Sequence, residues 1–301
     1  MKQHHPYPSV GERLVMYKEA HELFLGKPYT GLTVPDTTEF DPLRSEMYRI
    51  ALQRYPHARV EDIEAMFKYF DPQPHEITLE IGAGNGFFSH HIAKQSKHAF
   101  IYDPSSEQIA RSVSLYPELA TFIESNTLSL LHGAFKNLTI EKASVDAVWS
   151  FGALHHLFEK LAFLKLLFPL LKDGARVVIG DVFSTEKDIY GGNMISRLAR
   201  NFDAHVARYC VTGHEVAFWS DDYAHSMANI VGFSAIDIID LPQRWWFDSK
   251  DEIGDFIYLI HAMVYTNRED CLRSVEETLG IGYEDGKWFM NWPMKIIRLV
   301  K

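Results

Sequence analysis

Cysteine is nearly absent: Cys210 and Cys271 are the only two in 301 residues. Two thiols cannot build a disulfide framework, and neither CxxC nor a Cys/His zinc spacing occurs. HxH, HExxH and carboxylate-rich triad spacings are missing as well, so no metal is expected. Long apolar runs are lacking. The longest apolar zone, Leu154 to Phe168, is interrupted by Glu159, Lys160 and Lys165, so it falls short of the roughly 20 residues that span a bilayer. The first residues, Met-Lys-Gln-His-His-Pro-Tyr-Pro, lack the apolar stretch of a secretion signal. No membrane insertion is expected, and a reducing cytoplasm is the expected setting. Positive charge is also short, with 30 Lys+Arg against 40 Asp+Glu and a formal charge of −10. That balance disfavours a nucleic-acid partner, which calls for a basic face. What remains, 47% hydrophobic and 23% charged, is the composition of a soluble globular chain long enough for one or two domains.

Residues 1–70 predict a helical N-terminal cap. Val10 to Leu25 carries Leu14, Met16, Leu23 and Phe24, and Arg59 to Phe70 sets Val60, Ile63, Met66, Phe67 and Phe70 near helical spacing. Between them, the Pro/Gly/Thr-rich stretch from Gly26 to Pro42 reads as loop. Asp71-Pro-Gln-Pro then breaks the chain. From Ile77 the texture changes. Short apolar runs (Ile77–Ile81, Ala99–Tyr102, Asp146–Phe151, Arg176–Ile179) alternate with helical patterns (Phe87–Gln95, Ser105–Leu115, Leu157–Leu171). Such alternation predicts right-handed βαβ units and a parallel sheet covered on both faces, a doubly wound α/β fold. Lys172-Asp-Gly174 reads as the helix-to-strand turn, with Gly174 ending the preceding helix. Ile189–Tyr209, Asp221–Ile230 and Lys250–Tyr265 read as helices, and Ser234–Leu241 and Trp288–Val300 as strands. The expected organisation is a cap (1–70), an α/β core (71–241) and a helical insertion with the final strand on the substrate side (242–301).

The segment Thr78-Leu-Glu80-Ile81-Gly82-Ala83-Gly84-Asn85-Gly86-Phe87 carries the most chemistry. A strand ends in an acidic residue and turns through three alternate glycines into a helix. Glycine allows a tight turn and a close approach of backbone to ligand. The dinucleotide pattern G-x-G-x-x-G would need glycine where Phe87 stands. Asp103 lies 21 residues after Gly82, at the tip of the next strand. A carboxylate there accepts hydrogen bonds from a ribose diol, or else caps the helix that begins near Ser105 behind Pro104.

The ordered set of segments resembles the class I S-adenosylmethionine-dependent methyltransferases of the small-molecule type, over about Ile77 to Phe183. Leu79-Glu-Ile-Gly-Ala-Gly-Asn-Gly86 is similar to the family's first motif, and Tyr102-Asp-Pro-Ser to its ribose-binding strand end. His132-Gly-Ala-Phe-Lys-Asn-Leu138 is similar to the adenine-framing segment. Val145-Asp-Ala-Val-Trp-Ser-Phe-Gly-Ala-Leu-His-His156 and Leu170-Leu-Lys-Asp-Gly-Ala-Arg-Val-Val-Ile-Gly-Asp181 are similar to the fourth strand and the fifth-strand entry. The resemblance implies a seven-stranded Rossmann-like sheet, S-adenosyl-L-methionine as cofactor and S-adenosyl-L-homocysteine as product. It further implies that Glu80, Gly82, Ala83, Gly84 and Gly86 hold the methionine portion and that Asp103 and Pro104 meet the ribose. Gly133, Ala134 and Phe135 would border the adenine, with Ser150 and Phe151 beneath the sulfonium. Where the family often has acidic residues in the adenine segment, this chain has Ala134 and Lys136.

Methyl transfer is an in-line displacement governed by alignment and by a correctly protonated nucleophile. His155 and His156 follow the fourth strand at the carboxyl edge, where open α/β sheets bind ligands, and either is a candidate general base. The competing reading is that they anchor the loop. His205 and His214 are further candidates. Trp245, Trp246 and Phe247 predict part of an aromatic acceptor pocket, with core packing as the alternative. In Thr38 to Tyr48 of the cap, Arg44 is a candidate for the methionine carboxylate, against an ordinary surface role, with Tyr48 beside it. The expected activity is methyl transfer to O, N or C of a small hydrophobic or aromatic metabolite. A tRNA or protein methyltransferase and a non-catalytic cofactor-binding protein are the rivals.

Overall fold

The computed structural model describes residues 7–35, 42–181, 194–212, 214 and 216–301. The beginning of the helix expected from Ile189, residues 36–41 of the expected cap, and the end of the motif region after Asp181 lie outside them. In chain order the elements are α1 (Val10–Leu25), α2 (Pro42–Arg54), α3 (Val60–Ala65), β1 (Ile77–Ile81), α4 (Ser89–Gln95), β2 (His98–Asp103), α5 (Ser106–Leu115) and α6 (Glu118–Glu124). There follow β3 (Leu128–His132), β4 (Val145–Phe151), α7 (Lys160–Leu167), β5 (Leu171–Asp181), α8 (Met194–Tyr209) and α9 (Asp221–Val231). The last are β6 (Ala235–Phe247), α10 (Lys250–Ile260), α11 (Arg268–Thr278), β7 (Ile281–Glu284) and β8 (Lys287–Val300). Among the described residues no helix is long and apolar enough to cross a membrane.

These elements fall into two compact units, neither contiguous in sequence. One comprises Glu61–Ser196, Val216–Gln243 and Pro293–Lys301, the other Met1–Val60, Arg197–Glu215 and Arg244–Trp292. Most of the expected cap and of the expected insertion therefore shares one unit.

In the first, α/β unit, the sheet order is β3-β2-β1-β4-β5-β8-β6, with β1 to β5 parallel and β8 antiparallel to β5. Those seven strands are the number expected, and the short β7 pairs with β8 off this path. The central strands are buried almost throughout, as parallel strands covered on both faces must be: β4 hides six of its seven residues. A core of Leu79, Ile81, Val148, Phe163, Leu164, Val177, Ile179 and Leu299 packs around them. Arg176 fastens the loop before β1 to β5. It donates to both oxygens of Glu76, one at 2.8 Å, and to the carbonyls of Phe70 and Asp71. Arg176→Ala leaves the buried Glu76 carboxylate without its counter-charge and is expected to cost about 3 kcal/mol, read as a lowered midpoint in urea unfolding.

In the other unit, α10 packs on α11 and α2, and α1 on α2. Gly254 permits the α10–α11 approach, since a Cβ there would sit 2.5 Å from the Arg268 carbonyl oxygen. Asp255 ties the unit together by accepting from Arg54 at 2.6 Å, from the Tyr55 hydroxyl at 2.7 Å and from Arg268.

Several boundaries differ from expectation, each for a physical reason. The α1 face that is buried carries Tyr17, Ala20 and His21, while Leu23 is exposed. The stretch from Arg59 to Phe70 is a short α-helix followed by a π-turn that ends at Asp71 with φ 46°. Gly174 does not end a helix. It lies inside an irregularity of β5 with φ 78°, donating to the Lys301 carbonyl at 3.0 Å. β6 does not stop at Pro242 but runs through it to Phe247.

Candidate active site

The carboxyl ends of β1, β2 and β4, with the loop after β3, converge in the α/β unit. After β1 the backbone turns through Gly82, Gly84 and Gly86, at φ 72°, 56° and 89°. All three values are left-handed, the region that strongly favours glycine. The Tyr102 carbonyl at the end of β2 accepts from the Gly82 and Ala83 N–H groups at 2.9 and 3.0 Å, locking the loop to its neighbouring strand. At Gly82 there is no room for a side chain, since a Cβ would stand 2.3 Å from that of Ala153 in the loop after β4. Phe87, where a dinucleotide motif needs glycine, is buried with its ring edge-to-face on Phe88.

Asp103 accepts from the Gly84 N–H at 2.9 Å through Oδ2 and from the Ser105 N–H at 2.9 Å through Oδ1. It is not the helix cap. Ser105 is, accepting from the Gln108 N–H. Burial pushes the Asp103 carboxyl up to about 6, against the two N–H donors that pull it down. Glu80 is fully enclosed, and burial raises it to about 8 despite the Ser89 hydroxyl donating to it at 2.6 Å; the nearby charge of Asp103 adds to the rise. Burial thus favours the protonated form of Glu80.

Beyond β3, Gly133 turns with φ 90°, its N–H on the Pro104 carbonyl and its own carbonyl accepting from the Tyr102 hydroxyl at 2.7 Å. Ala134 is exposed, and the Phe135 ring stands edge-on to Tyr102 at 5.3 Å. Thus Gly133, Ala134 and Phe135 are held beside the β2 tip. On β4, Phe151 stacks on Trp149 at 5.1 Å and packs against Phe88, in part because Gly180 of β5 leaves space for its ring. Ser150 points to the other face. Its hydroxyl and the side-chain amide of Asn85 are fully buried and meet no protein partner. Buried polar atoms need partners, so a polar ligand held at this loop fits the residues present.

His155 and His156 form a short 3-10 turn after β4. His156 is exposed, whereas His155 is buried with Nδ1 2.5 Å from Asp181 Oδ1 at the end of β5. Lys160 is buried nearby. Burial draws its ammonium down to about 8, the Asp181 charge opposing this, and it lies over the Trp219 ring. Asp181 is a site residue the sequence motifs contain without singling out. An acid at a strand tip is commonplace, and only the β4–β5 pairing brings it to His155.

The remaining candidates lie in the other unit. Trp245 and Phe247 are buried in its core against Phe256, and Trp245 stacks on Trp292 at 4.0 Å. Trp246, pointing the opposite way along β6, packs on Phe289 and Arg244. They do not lie beyond the strand expected over Ser234–Leu241 but alternate within β6. Arg44 is no surface residue either: it is buried and donates to the Thr212 hydroxyl at 2.7 Å, while Tyr48 accepts from Arg59. His214 pairs with Asp203 at 2.7 Å, and His205 lies beside Tyr209.

An open, doubly wound sheet with a glycine turn after its first strand and a carboxylate at the tip of its second defines a nucleotide-cofactor-binding Rossmann-like domain. Residues 79–179 match the profile of a family described as a methyltransferase domain. Those residues, about a third of the chain, are thus a methyltransferase domain, and they support an enzyme that uses S-adenosylmethionine. In fold it is similar to the YcgJ protein of Bacillus subtilis, with a TM-score of 0.57 at 16% identity over 80% of this chain and 98% of that one. It is also similar to phosphoethanolamine N-methyltransferase 2 of Haemonchus contortus, solved with S-adenosyl-L-methionine (TM-score 0.57, 14% identity, 91% of this chain and 61% of that one). A third similar fold is an S-adenosylmethionine-dependent methyltransferase of Thermotoga maritima (TM-score 0.51, 14% identity, 84% and 94%). No curated protein matches the chain in sequence.

Proposed function

We propose that the enzyme methylates O, N or C of a small hydrophobic or aromatic metabolite in the cytoplasm, with the cofactor seated on the glycine turn. The observation that carries the seating is Asp103. Its two oxygens brace the glycine loop and the start of α5, which fixes the carboxylate beside the glycine turn, and each oxygen has a further lone pair with which to accept. In this reading Asp103, with Pro104 beside it, takes the ribose hydroxyls, and Glu80, Gly82, Ala83, Gly84 and Gly86 hold the methionine portion. Gly133, Ala134 and Phe135 border the adenine; Ser150 and Phe151 lie beneath the sulfonium, and the buried Asn85 amide and Ser150 hydroxyl supply polar contacts. Bound there, S-adenosylmethionine supplies an electrophilic methyl group.

The protein's share is alignment and proton management. His155 is the general base, an imidazole held at the carboxyl edge of the sheet where open α/β sheets bind ligands. Trp245 and Phe247, expected at an acceptor pocket, are core residues of the other unit, and Trp246 packs on Phe289 there. The acidic charge favours a small molecule over a polyanion, and the two free, buried cysteines suit a reducing compartment. Titration calorimetry tests the seating. S-adenosylhomocysteine is expected to bind with a micromolar or tighter constant while NAD gives no heat, and the reverse result would overturn the assignment.

A further inference from the structure

We infer that Tyr102 is a positioning residue that ties the two ends of the cofactor site together, and that its hydroxyl sets the affinity for the adenine end alone. This rests on the seating proposed above, with the methionine portion on the glycine turn and the adenine beside Gly133, Ala134 and Phe135.

Tyr102 precedes Asp103 on β2, and its register partners are Ile81 at the end of β1 and Leu131 of β3. It therefore sits between the strand that feeds the glycine turn and the strand that feeds the adenine loop. Its main chain serves the first. The carbonyl accepts from the Gly82 and Ala83 N–H groups at 2.9 and 3.0 Å. Its side chain serves the second. The hydroxyl donates to the Gly133 carbonyl at 2.7 Å, and the ring meets Phe135 edge-on, with Phe135 backed in turn by Phe163 of α7 at 4.8 Å. Gly133 turns at φ 90°, and a Cβ there would meet nothing within 4 Å. Close packing thus does not hold the turn at that position. What fixes it is the pair of hydrogen bonds at its own backbone, from the Tyr102 hydroxyl and to the Pro104 carbonyl at 3.2 Å. Tyr102 is buried, and burial, with the Asp103 charge adding to it, pushes its hydroxyl up to about 12. The phenol accordingly keeps its proton and donates at any pH near neutrality.

This division of labour makes the two ties separable. Tyr102→Phe keeps the carbonyl on the glycine turn and the ring on Phe135, and removes one donor from the adenine loop. Titration calorimetry on the whole protein then compares S-adenosylhomocysteine with S-ribosylhomocysteine, the same molecule without its adenine. In Tyr102→Phe the dissociation constant for S-adenosylhomocysteine is expected to rise about 3–10-fold, and that for S-ribosylhomocysteine to stay within about twofold. Equal weakening of both ligands, as a general loss of structure would give, or no weakening of either, would overturn the inference. Amide hydrogen exchange without any ligand reports on the tie itself. Residues 133–138 are expected to exchange faster in Tyr102→Phe, with residues 82–87 unchanged. Unaltered exchange over 133–138 would refute the positioning role. A wild type that gives no heat with S-adenosylhomocysteine sinks the seating and the affinity claim with it, whereas the exchange result decides the tie in either case.

Discussion

Asp103→Ala is expected to weaken S-adenosylhomocysteine binding by about 10²–10³-fold. In the proposed seating two ribose hydroxyls donate to this carboxylate, each such bond contributing about 1.5–3 kcal/mol, and their loss alone accounts for that range. The same substitution removes the acceptor shared by the Gly84 and Ser105 N–H groups, so the loop loses its brace. Ser105→Ala separates these effects. It deletes the α5 cap, costing about 1 kcal/mol of stability, and leaves the carboxylate in place. Affinity should therefore hardly change in Ser105→Ala. The pH dependence follows from the buried carboxyl, which titrates near 6. Above that value Asp103 is ionised and accepts through both oxygens. As pH falls through 6 it takes up a proton, and wild-type affinity should drop. Asp103→Ala should flatten this acidic limb, and a limb that persists in the variant would assign the titration elsewhere.

Gly82→Ala is the second large effect, and it is expected to abolish detectable cofactor binding and to lower stability by several kcal/mol. Two costs combine. An L-residue at φ 72° is strained by about 1–2 kcal/mol, and the new methyl group stands 2.3 Å from the Ala153 Cβ. Because β1 and β4 are both held in the sheet, relief must come from the loops that form the site. Gly82→Ala with Ala153→Gly removes the collision and keeps the strain, so it should recover most of the stability in thermal unfolding. Gly84→Ala is the comparison. Its Cβ meets only the Gln108 amide nitrogen at 3.8 Å, so it should cost about the backbone strain alone. Equal damage from Gly82→Ala and Gly84→Ala would show that the contact with Ala153 is unimportant.

The parallel core was legible because its strands are apolar runs, and the motif order marked the glycine turn and the Asp103 carboxylate that the fold brings together. The rest depended on neighbours distant in sequence. β3, Leu-Ser-Leu-Leu-His, escaped notice because at the sheet edge its apolar residues suit a helix as well as a strand. Pro242 looked like a terminator, yet β6 is the other edge of the sheet path, where a missing N–H need not break a ladder. The hairpin of β7 and β8 turns on Asp285-Gly286, at φ 51° and 81°. That pair was a readable signal, obscured by the long stretch in which it sits. Arg44 looked like a surface arginine because its hydroxyl partner, Thr212, lies far along the chain. Asp181 and His155 meet for the same topological reason.

The placement of β8 between β5 and β6 has a consequence for how the chain assembles. Arg176 and Val300 are register partners, and Ser234 is bonded to the same Val300 carbonyl. As the polypeptide emerges from a ribosome, the five parallel strands can gather early, but β5 waits with a bare edge until β8 has been made. Contacts so remote in sequence slow folding, and an unpaired strand edge invites pairing with another chain. The interval between synthesis of β5 and of β8 is thus when the nascent enzyme is most exposed to aggregation, and when a holding chaperone has most to protect.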